Sequence, residues 1–579
     1  MTAQPVFTPP PGWKTLKLSA KVFGHISQGL YRTPAGAIKE LISNAFDADA
    51  RHVKIHTDFP KFSTFSCEDD GDGISVDEFE QMMDRGFGTS TKRSETGQVS
   101  KRLRRPLIGR LGIGLLSMAQ ICAEFKIVSH HRASRKAFEV IIRFPPYTKE
   151  ELDRADKQPG GYMIGGAYKF ADLSFSATNG GVKIYTSNLR PTFCRRMQAL
   201  EKRFAKKEYL NQDGPYLSFG EFVNCIYNSK TISLSLTLAS DYDQLLFGLA
   251  SAAPVPYFES GDGNIILKAP FMQRVQRRLK GYKFMVEVDN LRLAKPLILP
   301  SIREAITSKQ CKLLRGTSHQ FRLRDGPFEE DVTINKSAIA VTSQEKEYAL
   351  YELKYFNKLV GGRPLRISGY MFNQTGRLYP REIQGVLIRI KNVAIGSYDN
   401  SLMYYPRAEG PRFSMVSMEI FVEQGFEDAL NIDRDSFNGL DPHYMRVQAF
   451  IHSMMETIFP EIWTEEKERN RRHREQLKKA SERKFLSVLS RISAGSPLKR
   501  LVLKQPQQNI SERDTPVEFS TGVVEIVSSH PLLEPLLKRH KHRTVAAQVA
   551  IALERALQEQ NDFDRRRVFY QLLSEIFSA

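Results

Sequence analysis

The sequence predicts an α/β fold divided into more than one domain, and three observations carry that prediction. Up to about Ser240, stretches with helical spacing alternate with stretches of strand character. The segment APVPYFESGDGN, from Ala253 to Asn264, is dense in turn-forming residues, and α/β character resumes after it from about Tyr282 to Pro460. The chain of 579 residues, 41% of them apolar, is too long for one hydrophobic core and apolar enough to build several.

The elements follow in chain order. A helix is expected from Pro34 to Asp49, because Ile38, Leu41, Ile42 and Ala45 fall on one stripe. Strands are expected at His52 to His56 and Phe62 to Glu68, then an apolar helix from Leu111 to Cys122, then strands at Phe125 to Ser129 and Val182 to Tyr185. In the second segment, strands are expected at Tyr282 to Val288 and over Gly385 to Ile395. From Glu465 the sequence EEKERNRRHREQLKKASERK is charged on nearly every face, with Glu468 and Arg472, and Glu475 and Lys479, at helical pairing distance. A long exposed helix follows, either a solvated connector or an arm for nucleic acid or a protein. Leu503 to Thr521 is polar and turn-rich, and Arg543 to Phe577 returns to amphipathic spacing suited to a small self-associating tail. The expected division is residues 1–250, 265–460, a charged helix or linker over 461–500, and a helical C-terminal region over 501–579.

The start MTAQPVFTPPPGWK lacks a basic flank followed by an apolar run, and no apolar stretch is long enough to cross a bilayer, so secretion and membrane spanning are not expected. Cys67, Cys122, Cys194, Cys225 and Cys311 are widely spaced, which argues against a zinc module or a disulfide framework and fits a reducing, cytoplasmic address. A formal charge of +19 admits nucleic acid as a partner, since neutralising phosphates releases counterions, but charge alone names none.

Chemistry begins in AIKELISNAFDADA. Glu40, Asn44 and Asp47 stand at i, i+4 and i+7, one polar stripe opposite the apolar one. On a surface helix such a stripe is ordinarily just solvated. Next, CEDDGDGIS offers Asp69 with Gly71 and Gly73 in a DxGxG spacing, where glycine permits a tight turn and close approach to a ligand. DDGDG also invites a calcium reading, but the other ligands of an EF-hand loop are not at their positions. Third, in PLIGRLGIGLLSMAQICAEFKIVS, Gly109, Gly112 and Gly114 lead into the apolar helix, whose first amides can hold phosphate oxygens. This GxxGxG loop lacks the Lys and Ser/Thr of a P-loop and by itself could simply pack against a helix.

As an ordered set, ExxxNAxD, DxGxG and GxxGxG resemble the Bergerat-type (GHKL) ATPases, the group containing gyrase, heat-shock chaperone, histidine kinase and MutL ATPase domains. IGRLGIGLLSMAQICAEFKIVS is most similar to the heat-shock-90-type branch. The resemblance covers about Lys14 to Leu189. It implies an N-terminal sandwich of helices on a mixed sheet that binds ATP with magnesium. It also implies roles: Glu40 would activate the attacking water, Asn44 would hold magnesium, and Asp69 would accept the adenine amino group. Asp47 would face the nucleotide through water, and Gly109, Gly112 and Gly114 would line the phosphates. The basic stretch Lys92 to Arg110 would be a mobile lid, with Thr89, Ser90 and Lys92 at its polar edge. One departure stands out: where the family carries a Gly-Thr pair before the last strand, this chain has NGGVKIY, with Gly180 or Gly181 in place of that threonine, or Thr178 in another register.

Farther on, FEDALNIDRDSF is similar to the chaperone segment whose arginine reaches the terminal phosphate, which makes Arg434 the candidate; the alternative is a surface pair with Asp433 or Asp435. The resemblance therefore implies a chaperone-like conformational ATPase that closes, as a homodimer, around Mg-ATP for a client the sequence does not name. A MutL- or topoisomerase-like clamp on DNA is the alternative. A histidine-kinase-like phosphotransferase is a third reading, set back because there the ATP domain ends the chain.

Overall fold

The computed structural model describes residues 9–19, 34–85, 99–108, 114–144, 162–175, 180–198, 214–228, 235–259, 265–296, 311–341, 346–374, 376–431, 436–492, 500–504, 517–520, 523–527 and 529. They fall into two compact units, Met1–Phe459 and Pro460–Ala579. The fold is mixed α/β, with helices laid on large mixed sheets.

The first sheet comprises β1 (Lys14–Ser19), β2 (His52–His56), β3 (Phe65–Asp69), β4 (Cys122–His131), β5 (Lys136–Arg143), β6 (Tyr162–Leu173), β7 (Gly181–Leu189), β8 (Met285–Val288) and β9 (Leu291–Arg292). Their order is β1-β6-β5-β4-β7-β3-β2-β8-β9, antiparallel except for β2 beside β8. β8, which the sequence places in the second α/β segment, thus extends the first sheet.

Helix α1 (Pro34–Asp47) opens on a proline, suited to a first helical position because it has no N–H to leave unsatisfied. It ends in a reversal with Asp49 in the left-handed region at φ 61. There the Ala50 amide reaches the Ala45 carbonyl at 3.0 Å and the Asp49 amide reaches Phe46 at 3.2 Å, the pairing that closes a Schellman cap. The predicted apolar stripe is buried, with Ile38, Leu41, Ile42 and Ala45 all at most 3% exposed. Later come α2 (Val76–Arg85), α3 (Pro191–Gln198), α4 (Phe219–Asn228), α5 (Asp241–Ala252) and α6 (Pro270–Gly281). Ser240 caps α5 by accepting from the Asp243 amide.

The second sheet comprises β10 (Cys311–Leu313), β11 (Thr317–Asp325), β12 (Phe328–Val341), β13 (Lys346–Val360), β14 (Arg363–Asn373), β15 (Gly385–Ile390), β16 (Val393–Asp399) and β17 (Val416–Gln424), with β15 parallel to β17. Ile339, Leu350, Tyr370 and Phe372 join the core of the first sheet and its helices. Phe321 and Tyr355 instead meet Phe450 of α7 (Pro442–Ile492). Beneath the second sheet lies a buried ion pair, Arg389 with Glu419, both side chains at most 2% exposed. Tyr257, Tyr370 and Tyr398 donate to the same carboxylate, and Arg389 donates to the Ser251 carbonyl at the end of α5.

Several expectations shift. Phe62 does not start a strand: it sits at φ 50, fully buried against Phe59 and Tyr242, and β3 begins at Phe65. The helix expected from Leu111 to Cys122 is, among described residues, a 3₁₀ turn over Gly114–Gln120, and Cys122 already belongs to β4. The alternation from Cys122 onward pairs on both sides, with β5 and β7, and that ladder captures the end of the expected helix. Tyr282 caps α6 rather than opening a strand. The span Gly385 to Ile395 is two strands joined by the turn Lys391–Asn392, both residues at positive φ, as a two-residue hairpin demands.

The second unit holds a three-stranded sheet, β18 (Arg500–Lys504), β19 (Val517–Ser520) and β20 (Val523–Val527), ordered β18-β20-β19. This corrects the helical reading at the start of 501–579: VVEIV is rich in β-branched residues that suit a pleated surface, and RLVLK pairs beside it. The expected tail from Arg543 lies outside the described residues. From Thr464 the described side chains of α7 are exposed, and Arg471–Glu475 and Arg472–Glu468 pair along it.

Candidate functional site

Two stretches of the chain converge on α1 at three points. The loop after β3 meets its C-terminal end, where the Asp72 amide donates to the Ala48 carbonyl at 2.7 Å. The Ile108 amide donates to Asp47 Oδ1 at 2.6 Å. Ser117 Oγ, in the 3₁₀ turn, donates to the Ala37 carbonyl at 2.9 Å, near the other end of α1. Glu40 and Asn44 lie between these two attachments along the helix.

The polar stripe is not a solvated face. Glu40 is 1% exposed, and Asn44 and Asp47 are half-buried. Burying a carboxylate is costly without compensating partners, so Glu40 is held by its surroundings and shielded from bulk water. The Asn44 side chain is half-buried on that same face. Asp47, expected to reach a nucleotide through water, spends one carboxylate oxygen on the Ile108 amide.

Asp69 closes β3. Burial, more than any other influence, pushes its carboxyl up from 3.8 to about 7, helped by neighbouring Asp70 and Glu68 and opposed by the amides of Gly71 and Val182. The Gly71 amide donates to Asp69 Oδ1 at 2.8 Å. Asp70 and Asp72 face elsewhere. Asp70 accepts from the amides of Arg51 at 2.6 Å and His52 at 2.8 Å, and Asp72 lies 3.3 Å from Arg102 and 3.5 Å from Arg132. The acidic residues are thus engaged separately, and among the described residues no three His, Cys, Asp or Glu side chains cluster where they could hold a metal ion.

The glycines of DxGxG serve contacts within the chain. Gly73 has φ +77, and a Cβ there would stand 2.2 Å from the His130 carbonyl oxygen. A Cβ on Gly181 would stand 2.2 Å from the Asp69 carbonyl, and one on Gly180 would stand 2.8 Å from that of Gly71. This accounts for the departure in NGGVKIY, because neither position has room for a threonine beside the DxGxG loop. Thr178 lies outside the described residues, as do Thr89, Ser90, Lys92, Gly109, Gly112 and Arg434. Gly114 opens the 3₁₀ turn.

Sequence reasoning missed how the C-terminal part of the basic stretch is anchored. Asp49, 1% exposed, accepts from Ser100 Oγ at 2.5 Å and from the Arg102 amide at 2.7 Å. Arg105, 2% exposed, donates to the carbonyls of Ala50 and Tyr282 and lies over the rings of Phe46 at 4.8 Å and Phe284 at 5.4 Å. The one available signal was Asp49 itself, an acidic residue at a cap where glycine is usual.

Residues 31–156 match the family model for histidine kinase-, DNA gyrase B- and HSP90-like ATPases. Over this stretch the chain carries a GHKL-type ATPase domain. It is 29% identical over 160 residues to the DNA mismatch repair protein MutL of Anaplasma phagocytophilum (strain HZ), covering 28% of this chain and 23% of that protein. MutL of Caulobacter vibrioides (strain NA1000 / CB15N) is 28% identical over 127 residues, 22% of this chain and 20% of the relative. The match therefore spans less than a quarter of these relatives' length. A crystal structure of the N-terminal domain of a DNA repair protein aligns at 12% identity and a TM-score of 0.33, over 76% of this chain and 98% of that one. The family match supports the broad ATPase class, and these relatives are MutL proteins rather than chaperones. Among the described residues no helix is long and apolar enough to cross a membrane.

Proposed function

We propose that this chain binds and hydrolyses ATP with magnesium on α1 and the adjoining loops, and that the cycle drives a DNA-associated conformational clamp of the MutL kind. The observation that carries the reading is the enclosed Glu40 on one helix face with Asn44, flanked by the DxGxG loop and the two ends of the glycine stretch within the matched ATPase domain. Asn44 would supply one magnesium ligand, which suits an ion held otherwise by phosphates and water. When bound, the ion neutralises phosphate charge. Glu40 is the group to orient and deprotonate the attacking water, in surroundings that keep other water out. Asp69 accepts the adenine amino group. Gly109, Gly112 and Gly114 would carry the phosphates, with Thr89, Ser90 and Lys92 on the covering segment. Arg434 would stabilise the charge spreading over the transferring phosphoryl group.

The test is ATP turnover by the full chain and by Glu40→Ala, with duplex DNA binding measured across a salt series and oligomeric state measured with and without a non-hydrolysable analogue. A loss of at least about 100-fold in turnover with ATP affinity retained supports the role of Glu40. An unchanged rate removes it. Salt-dependent DNA binding together with nucleotide-dependent dimerisation supports the clamp. A turnover that neither DNA nor dimerisation accompanies leaves the ATPase and refutes the DNA reading. Arg434→Ala should lower turnover and spare affinity; an unchanged rate refutes its role.

A further inference from the structure

We propose that Lys391 is a positioning residue for the nucleotide site: it reaches from the second sheet and fixes the arm of chain that runs into the glycine stretch. The inference rests on the nucleotide-binding reading above. Lys391 and Asn392 form the two-residue tip between β15 and β16, with φ 51 and 69. Lys391 Nζ donates to the Leu107 carbonyl at 2.9 Å and lies 3.4 Å from Glu427 Oε1, with its side chain 13% exposed. An ammonium group this enclosed is retained only with its carboxylate and acceptor in place.

The same tip has a second hold. Asn392 Nδ2 donates to the Tyr282 hydroxyl at 2.8 Å, and the Tyr282 carbonyl accepts from Arg105. The Asn392 carbonyl in turn accepts from Lys295 Nζ at 3.3 Å. On the opposite side, α1 holds the arm through Asp47 to the Ile108 amide, and the residue after its cap holds it through the Ala50 carbonyl to Arg105. Residues 105–108 are therefore clamped between α1 and the second sheet, and Gly109 is the next residue in sequence. Lys391 sets where this arm meets α1, beside the stripe bearing Asn44 and Glu40. It acts through Leu107 and Ile108.

The test uses the full chain with Lys391→Met and Lys391→Arg, and with Glu382→Gln as a control. Glu382 ties the second sheet to Ser235 and Leu236 instead of to residues 105–108. Lys391→Met is expected to raise KM for Mg-ATP about tenfold, the scale of one charge-assisted hydrogen bond, with kcat within about twofold. Amide exchange over residues 105–108 should accelerate, and Lys391→Arg should recover KM to within about threefold. Glu382→Gln should leave KM unchanged. Equal KM for Lys391→Met and wild type overturns the inference, as does a rise matched by Glu382→Gln, which marks a merely structural tie. If Lys391→Met does not fold, Lys391→Gln, whose shorter amide falls short of Leu107, replaces it under the same criteria. Wild-type protein that neither binds nor turns over ATP sinks the nucleotide reading itself, a result distinct from an active wild type with an indifferent Lys391→Met.

Discussion

Replacing Asp69 by asparagine should make the protein more stable while abolishing its ability to bind ATP. The Asp69 carboxyl accepts the amides of Gly71 and Val182, yet burial holds its titration near 7 instead of 3.8. The unfolded chain ionises at the ordinary value, so between about pH 4 and 7 the native state binds more protons than the unfolded one. Stability from this residue therefore falls as pH rises through that window. At about 1.4 kcal/mol per pH unit, the native state at pH 8 carries a penalty of at most about 4 kcal/mol. The residue is only partly buried overall, and about 2 kcal/mol is the expected share after solvent screening. Asparagine keeps the shape and an acceptor for Gly71 but no charge. Asp69→Asn should accordingly gain about 2 kcal/mol at pH 8, with the advantage shrinking on acidification and vanishing near pH 4. Urea unfolding at several pH values measures the gain, and calorimetry with Mg-ATP measures the loss of binding. A variant no more stable than wild type at pH 8, or one whose gain is independent of pH, refutes the account of the buried carboxyl. Undiminished ATP binding refutes its role toward adenine.

Three further outcomes follow from the packing. Glu419→Gln leaves the Arg389 guanidinium buried without its counter-charge and should cost about 3–5 kcal/mol in urea unfolding. Although burial alone would raise it, Arg389 holds the Glu419 carboxyl below its usual range, so this contribution is present above about pH 4.5 and is lost as pH falls through the lowered value. Gly73→Ala sets a methyl group against the His130 carbonyl at positive φ and should destabilise by at least about 2 kcal/mol, read as a lower thermal midpoint. Arg105→Met leaves the Ala50 and Tyr282 carbonyls without their donor and removes the contacts with Phe46 and Phe284; a loss of about 3 kcal/mol is expected, and a loss below about 1 kcal/mol would show that water replaces the guanidinium.

Much of the architecture was legible because it rests on local periodicity. The stripe of Ile38, Leu41, Ile42 and Ala45 defined α1 to within two residues of its end, and HVKIH defined β2 outright. The motif order was enough to mark the ATPase class that the family model recovers over residues 31–156. Less legible were elements whose outcome depends on competition for partners. Cys122 reads as the end of an apolar helix until β5 and β7 are present to pair with it. The branch of the family was also less legible: the glycine loop resembles the chaperone branch, whereas the relatives are MutL proteins.

Sequence alone determined which residue types stand at which spacing: a carboxylate and an amide one helical turn apart, an acidic residue closing a strand, and glycines where the chain must bend. Only the tertiary structure decided what those residues touch. It enclosed Glu40 rather than exposing it, turned Gly73 and Gly181 toward neighbouring carbonyls, and brought Lys391 across 284 positions of chain to the Leu107 carbonyl. Periodicity is a property of nearest neighbours along the chain, whereas burial and long-range hydrogen bonds exist only once distant segments share one core.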